Sequence, residues 1–175
     1  MLKSPAQPPS VETGAHGLDS FLFREGMSRV AAAVHVVTTD GPSGLAGFTA
    51  TAVTPVTDKP ASLLVCVNTA ARSAQALLAN GVFCVNVLSG SDQALANVFA
   101  GRTELQGPDR FSKGEWDTLV TGAPALATSL VSFDCRLDDA RVVATHHVII
   151  GEIVSIRLGE AEPALVYQRR LYHEL

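Results

Sequence analysis

Short apolar runs separated by turn residues recur along most of this 175-residue chain, and this pattern restricts the possible folds more than any other feature. Runs that alternate or are rich in β-branched residues are typical of strands. The predicted strands are 33–39, 45–53, 61–68, 82–88, 130–137, 146–158 and 163–168. The sequence DGPSG at 40–44 predicts a turn between the first two strands, whereas TPVTDKP at 54–60 is expected to break the chain after the second.

Three helices are predicted beside these strands. The first, at 18–31, has apolar residues at near-helical spacing, with Asp19 or Ser20 as its N-cap. The other two are predicted at 71–80 and 91–100. Because helices and strands do not alternate regularly, a parallel βαβ architecture does not fit the pattern. The sequence instead predicts a mainly β protein, a mainly antiparallel barrel with helices packed on its outside.

Length and composition are those of one globular domain. Hydrophobic residues make up 47% of the chain and charged residues 17%, which is sufficient for a substantial core. Residues 1–17 are rich in Pro, Ser and Gly and predict a flexible tail, so the domain is expected to span 18–175. The tail has no apolar signal-peptide core, and no apolar run is long enough to span a membrane. The expected location is the cytoplasm, without membrane association.

Charge and cysteine content narrow the possible partners. The net charge of −4 argues against nucleic acid as the main partner, because a phosphate-binding surface normally needs a basic excess. Cys66, Cys84 and Cys135 are widely spaced, lack a metal-binding pattern and lie in apolar stretches. All three are interpreted as small core residues, and an odd number of cysteines fits a reducing cytoplasm.

The motifs of several enzyme classes do not occur in the sequence. It contains no P-loop, no GxGxxG after a strand, no GxSxG nucleophile elbow and no HExxH pair. Side-chain nucleophiles and metals are therefore poor candidates for catalysis, and no metal site is predicted. If the protein is an enzyme, a bound organic cofactor is expected to carry the chemistry.

The predicted strand at 45–53 carries unusually small side chains. In its segment FTATAV, Thr49 and Thr51 are expected on one face and Ala50 and Ala52 on the other. Small strand residues allow a flat ligand or another backbone to approach closely. The alternative is an ordinary barrel strand that is narrow because a helix crosses it, and this feature taken alone favours the ordinary strand.

Nine segments, in the same order, resemble the flavin reductase-like family, the short-chain NAD(P)H:flavin oxidoreductases that serve two-component monooxygenases. The matching segments are 23–41, 47–68, 80–90, FAGR at 99–102, DRF at 109–111, TGAPAL at 121–126, SFDCRL at 132–137, HHVIIGEI at 146–153 and LVYQRRLYHEL at 165–175. The resemblance implies an FMN-binding split barrel, a Greek-key antiparallel barrel. It also implies a homodimer that binds the flavin near the subunit interface.

The resemblance also implies where the flavin binds. Four residues match the strand that holds the flavin ring, four match the turn that holds its ribityl and phosphate end, four match a second loop beside the flavin, and two match a C-terminal segment near the site. The strand residues are Thr49, Ala50, Thr51 and Ala52, and the turn residues are Asn68, Ala71, Arg72 and Ser73. The residues of the second loop are Phe99, Ala100, Gly101 and Arg102, and those of the C-terminal segment are Tyr172 and His173. For Arg72 and Ser73 the chemistry agrees, because a helix start and a guanidinium both favour an anion. The alternative is a simple first-turn serine beside a solvated arginine.

His146 matches the family's histidine next to the nicotinamide, because it lies five residues before Gly151. The sequence departs from the family at the next position, where His147 replaces the usual threonine. Neighbouring strand residues face opposite sides, so His146 should face the site and His147 should not, unless a bulge intervenes. His35 is interpreted as structural, and Trp116 as either a loop anchor or part of a lid.

The activity that the resemblance implies is hydride transfer from NADH or NADPH to FMN or FAD, with release of the reduced flavin to a partner monooxygenase. Such a transfer between stacked rings needs no protein base, which agrees with the missing catalytic motifs. The alternatives are a non-catalytic flavin carrier or redox sensor on the same barrel, an oxidase with tightly bound FMN, and a protein-binding barrel without a cofactor.

Overall fold

A computed structural model describes residues 17–175 of the chain, so the predicted tail at 1–17 lies, apart from Gly17, outside the described residues. Strand is the commonest structure in the described chain, and three α-helices lie on the outside of the strands. The helices are α1 Ser20–Ser28, α2 Arg72–Asn80 and α3 Gln93–Phe99. The strands are β1 Ala32–Ala33, β2 His35–Thr39, β3 Ala46–Ala50, β4 Val53–Asp58, β5 Ala61–Asn68, β6 Val82–Val87, β7 Trp116–Thr118, β8 Pro124–Leu126, β9 Val131–Val143, β10 His146–Leu158, β11 Leu165–Gln168 and β12 Leu171–Glu174.

The helix ends follow the capping chemistry of the sequence. The Asp19 carboxylate accepts a hydrogen bond from the backbone N–H of Phe21 at 2.9 Å, which caps α1 as predicted. Helix α2 ends at Gly81, whose φ of 70° is in the left-handed region that glycine adopts without strain. Helix α3 follows a short 3₁₀ turn whose start is a capping box between Ser89 and Asp92.

The main sheet is closed into a barrel by a two-residue connection. Seven strands pair in the order β3-β2-β6-β9-β10-β5-β4, and every neighbouring pair is antiparallel. The first and last strands of this order are consecutive in the chain and are joined only by Thr51 and Ala52. The sheet must therefore curl until its two edges meet, and the Cys66 N–H donates to the Ala52 carbonyl at 2.9 Å, which extends the β4–β5 pairing into that connection. The predicted antiparallel architecture is confirmed.

Two small sheets complete the fold. Strands β1, β11 and β12 form a three-stranded sheet, and β7 pairs with β8. The Val34 N–H donates to the Leu165 carbonyl at 2.9 Å, and the Leu88 N–H donates to the Val34 carbonyl at 3.0 Å. These bonds attach the C-terminal strands to the barrel next to α3.

The buried residues form two main clusters. One fills the barrel and the space under α2, with Phe83, Val65 and Leu77 completely buried. The other lies between α3 and the outside of the barrel, around Val36 and Phe99. Burial of side chains of this size stabilises the fold by about 1.5–3 kcal/mol each.

The region from 101 to 130 is fixed to the barrel by buried polar groups. The side chain of Asn86 donates to the Val36 carbonyl and accepts from the Leu126 N–H, at 3.1 and 2.8 Å. The buried Asp134 carboxylate accepts from the backbone N–H groups of Val120 and Thr121, both at 2.8 Å. Because a buried polar group that loses its partner is costly, these bonds hold the irregular segment in one position.

Some predicted boundaries were wrong. The segment 54–60, which was predicted to break the chain, is largely strand β4. Pro55 does not prevent this, because β4 is an edge strand with a register shift at Pro55, where a missing N–H is tolerated. Residues 101–122 are polar and contain glycine, which predicts a long loop around Trp116, but they include a 3₁₀ helix, Gly107–Ser112, and strand β7. Strand β9 continues to Val143, beyond its predicted end at 137, and the sequence pattern did not indicate β12.

The three cysteines do not share one environment, which corrects their assignment to the core. Cys84 and Cys135 are completely buried, and desolvation raises the pKa of the Cys84 thiol to about 12. Desolvation also raises the pKa of Cys135. Both thiols are therefore un-ionised and unreactive at neutral pH. Cys66 is only half-buried, because its side of β5 borders the cavity described below. Within residues 17–175, no helix combines the length and hydropathy that a membrane crossing requires.

Candidate active site

An open cavity of about 950 Å³ runs along β3 on the outside of the barrel. Strand β3 forms its floor, β5 and the start of α2 form one wall, and the end of α3 with the following loop forms the other. Twelve of the residues that the resemblance implies line this one cavity. They are Thr49, Ala50, Thr51, Ala52, Asn68, Ala71, Arg72, Ser73, Phe99, Ala100, Gly101 and His146.

The floor is an edge strand. Strand β3 pairs with β2 on one side only, so alternate backbone N–H groups on its other side are not used by the sheet. The side chain of Ala50 points into the core, whereas Thr51 is exposed at the bend that follows the strand. The predicted alternation of faces therefore stops at Ala50, because the chain turns there to close the barrel.

The two threonine hydroxyls differ in availability. The Thr49 hydroxyl donates to the Ala96 carbonyl at 2.7 Å, so its proton is used to hold α3 against the floor. The side chain of Thr51 is exposed and borders the cavity. The floor can thus offer a ligand unused backbone N–H groups and the Thr51 hydroxyl.

The wall formed by α2 presents an uncapped helix start. Its N-cap is Ala71, which has no side-chain oxygen to accept from the first-turn N–H groups. Arg72 and Ser73 lie in this first turn, and both line the cavity. The Asn68 carboxamide accepts from the Ala70 N–H at 2.8 Å and so shapes the turn before the helix. Free N–H groups, a helix dipole and a guanidinium together favour an anion at this end.

His146 stands at the rim of the cavity beside this wall. It pairs with Asn68 across the β5–β10 ladder, and its Nδ1 lies 3.0 Å from the Thr145 hydroxyl. The ring is exposed, as expected for a group that meets a ligand from solvent. His147 pairs with Val67 and does not line the cavity, so the two histidines face opposite sides as predicted.

The opposite wall is held by aromatic packing. Phe99 contacts Phe111 and Trp116, with ring centroids 5.0 and 5.5 Å apart. The Trp116 indole N–H donates to the Lys113 carbonyl at 2.7 Å. Trp116 therefore anchors the loop that forms this wall, which is the first of the two roles that the sequence allowed, a loop anchor or part of a lid.

Three of the residues implied by the resemblance lie elsewhere. The Arg102 guanidinium is placed 5.9 Å from the ring centroid of Tyr167 and 5.8 Å from that of Tyr172. His173 Nε2 lies 3.3 Å from the Gln168 carbonyl on the C-terminal hairpin. Arg102 therefore packs on Tyr172 on the far side of α3, His173 lies on the C-terminal hairpin, and none of the three lines the cavity of its own chain.

His35 supports the floor from inside. It is buried, and its Nδ1 lies 3.3 Å from the Ala50 carbonyl. Desolvation lowers the pKa of His35, and backbone hydrogen bonds only partly oppose this effect. The ring is therefore neutral at pH 7 and acts as a structural contact under β3.

Arg110 is the main cavity residue that sequence reasoning missed. Its side chain is half-buried and lines the cavity from the wall opposite Arg72. The only sequence signal for it is the DRF segment at 109–111, which matches the family without indicating a role. Its position depends on tertiary contacts of a loop, which no local pattern encodes.

The cavity suits an elongated anionic ligand. Among its described lining residues are two arginines and one histidine but no aspartate or glutamate, although the chain has a net charge of −4. Its volume is at the upper end of the roughly 300–1,000 Å³ typical of small-molecule sites. A flavin nucleotide fits this donor set, because its flat ring requires small residues and backbone donors and its phosphate requires the uncapped start of α2.

Comparisons with known proteins agree with this site. The model of the flavin reductase like domain matches residues 27–175. The chain is 46% identical over 164 residues to FMN reductase (NADH) RutF 1 of Methylorubrum extorquens, covering 94% of this chain and 81% of the relative. It is 47% identical over 153 residues to FMN reductase (NADH) RutF of Stutzerimonas stutzeri, covering 87% of each.

A solved structure shares the fold. BorF, the flavin reductase component of a bacterial two-component tryptophan halogenase, superposes with a TM-score of 0.83 at 32% identity, covering 90% of this chain and 98% of BorF. The resemblance found in the sequence is confirmed, and with it the split-barrel fold that it implied. The family model covers far more than half of the sequence, so the chain belongs to the flavin reductase-like family.

Proposed function

We propose that this protein is an NADH-dependent FMN reductase. The observation that carries the proposal is the cavity: an edge strand of small residues faces an uncapped helix start, and the described residues of its walls include arginines but no carboxylates. The names of the curated relatives support FMN and NADH as substrates. FAD and NADPH are the competing pair, and the assay described below distinguishes the two pairs.

The bound flavin would supply the redox chemistry by accepting a hydride from the nicotinamide. The chain's own residues then act by binding and orienting. Backbone N–H groups of β3 and the Thr51 hydroxyl would hold the ring, while Arg72 and Ser73 would hold the phosphate. His146 would position the nicotinamide at the open rim. No side chain needs to transfer a proton, in agreement with the missing catalytic motifs.

A single assay tests the proposal. The purified protein is mixed with NADH or NADPH and with excess FMN or FAD, and nicotinamide oxidation is followed by absorbance at 340 nm. We expect the highest kcat/KM with NADH and FMN. A protein that binds FMN without consuming either nicotinamide would instead be a carrier or sensor, and one that binds no flavin would refute the proposal.

The role of His146 gives a specific prediction. In His146→Ala the apparent KM for NADH should rise about tenfold, because one positioning contact is worth roughly 1–2 kcal/mol. The Kd for FMN should change less than about twofold, since His146 is exposed at the rim. Matched steady-state kinetics and flavin titrations measure both values. His147→Ala is the control, because His147 pairs with Val67 and does not line the cavity; an equal effect of both substitutions would contradict the assignment.

We also propose that the reduced flavin is passed to a separate oxygenating component. A structural relative, BorF, is named as the reductase component of a two-component system, which supports this proposal. The cavity is open along one side, so a flavin held there can leave without a large rearrangement. Transfer is tested by coupling the reductase to a flavin-dependent monooxygenase that has no reductase of its own and measuring oxygenated product.

A homodimer is proposed as the working form. No residue of α1 is buried, and Phe21 and Phe23 are 62% and 57% exposed, which is unusual for neighbouring aromatic residues in a monomer. We expect light scattering to give twice the 18.3 kDa chain mass. The double substitution Phe21→Asp, Phe23→Asp should yield a monomer, whereas Leu158→Asp, at an exposed leucine on β10, should not. A monomeric wild type would contradict the proposal.

A further inference from the structure

Arg110 is a cation fixed inside the cavity by backbone acceptors. Its Nε donates to the Leu105 carbonyl at 3.3 Å, and one terminal nitrogen donates to the Gly47 carbonyl at 3.5 Å. The other terminal nitrogen lies over Gly101, where a Cβ would come within 3.4 Å of it. Two carbonyls thus hold the guanidinium in one orientation, and its remaining N–H groups are free to meet a ligand.

The charge of Arg110 has no carboxylate partner in the described part of the chain. The two ion pairs between residues 17 and 175 are Arg157 with Asp117 and Arg170 with Glu25. Among residues 17–175, none of those that line the cavity entered by Arg110 is acidic. A half-buried guanidinium without a counter-ion is costly, and an anionic ligand would remove that cost.

Arg110 lies beside the part of the cavity where the flavin ring is proposed to bind. It bonds to Gly47, which lies on β3 two residues before Thr49, on the floor proposed to carry the ring. Arg72 and Ser73 lie on the opposite wall, at the helix start proposed to hold the phosphate. The two cations therefore serve different parts of one ligand.

We infer that Arg110 stabilises the negative charge that the flavin ring carries after reduction, so that it increases the affinity for reduced flavin more than for oxidised flavin. The inference rests on the proposed function. Hydride transfer moves two electrons and one proton from the nicotinamide, which is oxidised, to the ring, which is reduced and is an anion at neutral pH. A cation fixed in advance beside the site of a developing charge is the arrangement that stabilises it most effectively.

The same side chain could instead serve only to hold the loop against β3. A structural role predicts that the loss of Arg110 weakens oxidised and reduced flavin equally. A phosphate contact predicts that it weakens FMN but not riboflavin, which lacks the phosphate. The inferred role predicts a loss that is larger for the reduced form and the same for FMN and riboflavin.

The test measures four dissociation constants for each protein: oxidised and reduced FMN, and oxidised and reduced riboflavin. Titrations are followed by flavin fluorescence or absorbance, under anaerobic conditions for the reduced forms. In Arg110→Gln we expect the affinity for reduced FMN to fall about tenfold and that for oxidised FMN about twofold, with the same ratio for riboflavin. Arg110→Lys should keep most of the preference, because it keeps the charge. Melting temperatures check that each variant is folded.

Two further substitutions sharpen the result. Arg136→Gln removes an exposed arginine on β9, outside the cavity, and should change none of the four constants. Arg102→Gln tests the arginine of the neighbouring loop that packs on Tyr167 and Tyr172, and it should not change the preference between the redox forms.

Several outcomes would overturn the inference. They are an equal loss for both redox forms in Arg110→Gln, a loss limited to FMN, or the redox-dependent loss appearing in Arg102→Gln instead. In each of these the wild type still binds flavin, and the proposed function stands. A wild type that binds no flavin in either form would overturn the function and the inference together.

Discussion

Replacing Thr51 with tryptophan should abolish flavin binding without unfolding the protein. Thr51 is exposed at the bend after β3 and borders the cavity, so an indole placed there would occupy the space above the floor. The fold should tolerate the change, because the side chain is not part of the core. We expect the affinity for FMN to fall at least about 100-fold, equivalent to roughly 2.7 kcal/mol, with NADH oxidation falling in parallel.

The matched control for this substitution is Thr54→Trp. Thr54 is also an exposed threonine, three residues further along on β4, but it does not line the cavity. Its tryptophan variant should bind FMN as the wild type does. Isothermal titration of the three proteins, with circular dichroism to confirm the fold, makes the comparison. Normal FMN affinity in a folded Thr51→Trp protein would remove the β3 floor from the flavin site.

The sequence predicted the floor and one wall of the cavity, but of the other wall it predicted only the residues at the end of α3. The floor and the α2 wall are local features: a strand, its turn and a helix start lie within 45–80 and keep their order in space. The opposite wall is formed by a loop whose position is set by the packing of Phe99 on Trp116 and by the carboxylate of Asp134. Such long-range contacts leave no periodic signal, and Arg110 was missed for this reason.

Arg102 shows the opposite error, since this residue was expected at the cavity but lies outside it. It follows Phe99, Ala100 and Gly101, which all line the cavity, and the family resemblance implied that it would too. The chain turns at Gly101, where φ is +72°, and directs Arg102 to the tyrosines on the far side of α3. The sequence therefore located the loop beside the cavity correctly, but it did not predict that the side chain of Arg102 lies outside the cavity.

The fold itself should be most sensitive at Gly151. This glycine is buried at a register shift in β10, and a Cβ there would collide with the Cζ atom of Phe83 and come within 3.1 Å of Cys135 Cβ. Phe83 is completely buried in the barrel core, and because protein cores are close-packed its ring can move only by displacing its neighbours. We expect Gly151→Ala to lower the free energy of unfolding by about 3 kcal/mol, measured by urea denaturation.

Two comparisons identify the clash as the cause. Gly26→Ala, in the exposed helix α1 where no atom of the described residues lies within 4 Å of the added Cβ, should leave the stability unchanged or raise it by about 0.5–1 kcal/mol. Phe83→Leu removes the ring atoms that the new Cβ would meet. In the double variant Gly151→Ala, Phe83→Leu, the loss should therefore be smaller than the sum of the single losses, by at least about 1 kcal/mol. Strict additivity would mean that Gly151 is required for its backbone conformation at the register shift rather than for the space occupied by the Phe83 ring.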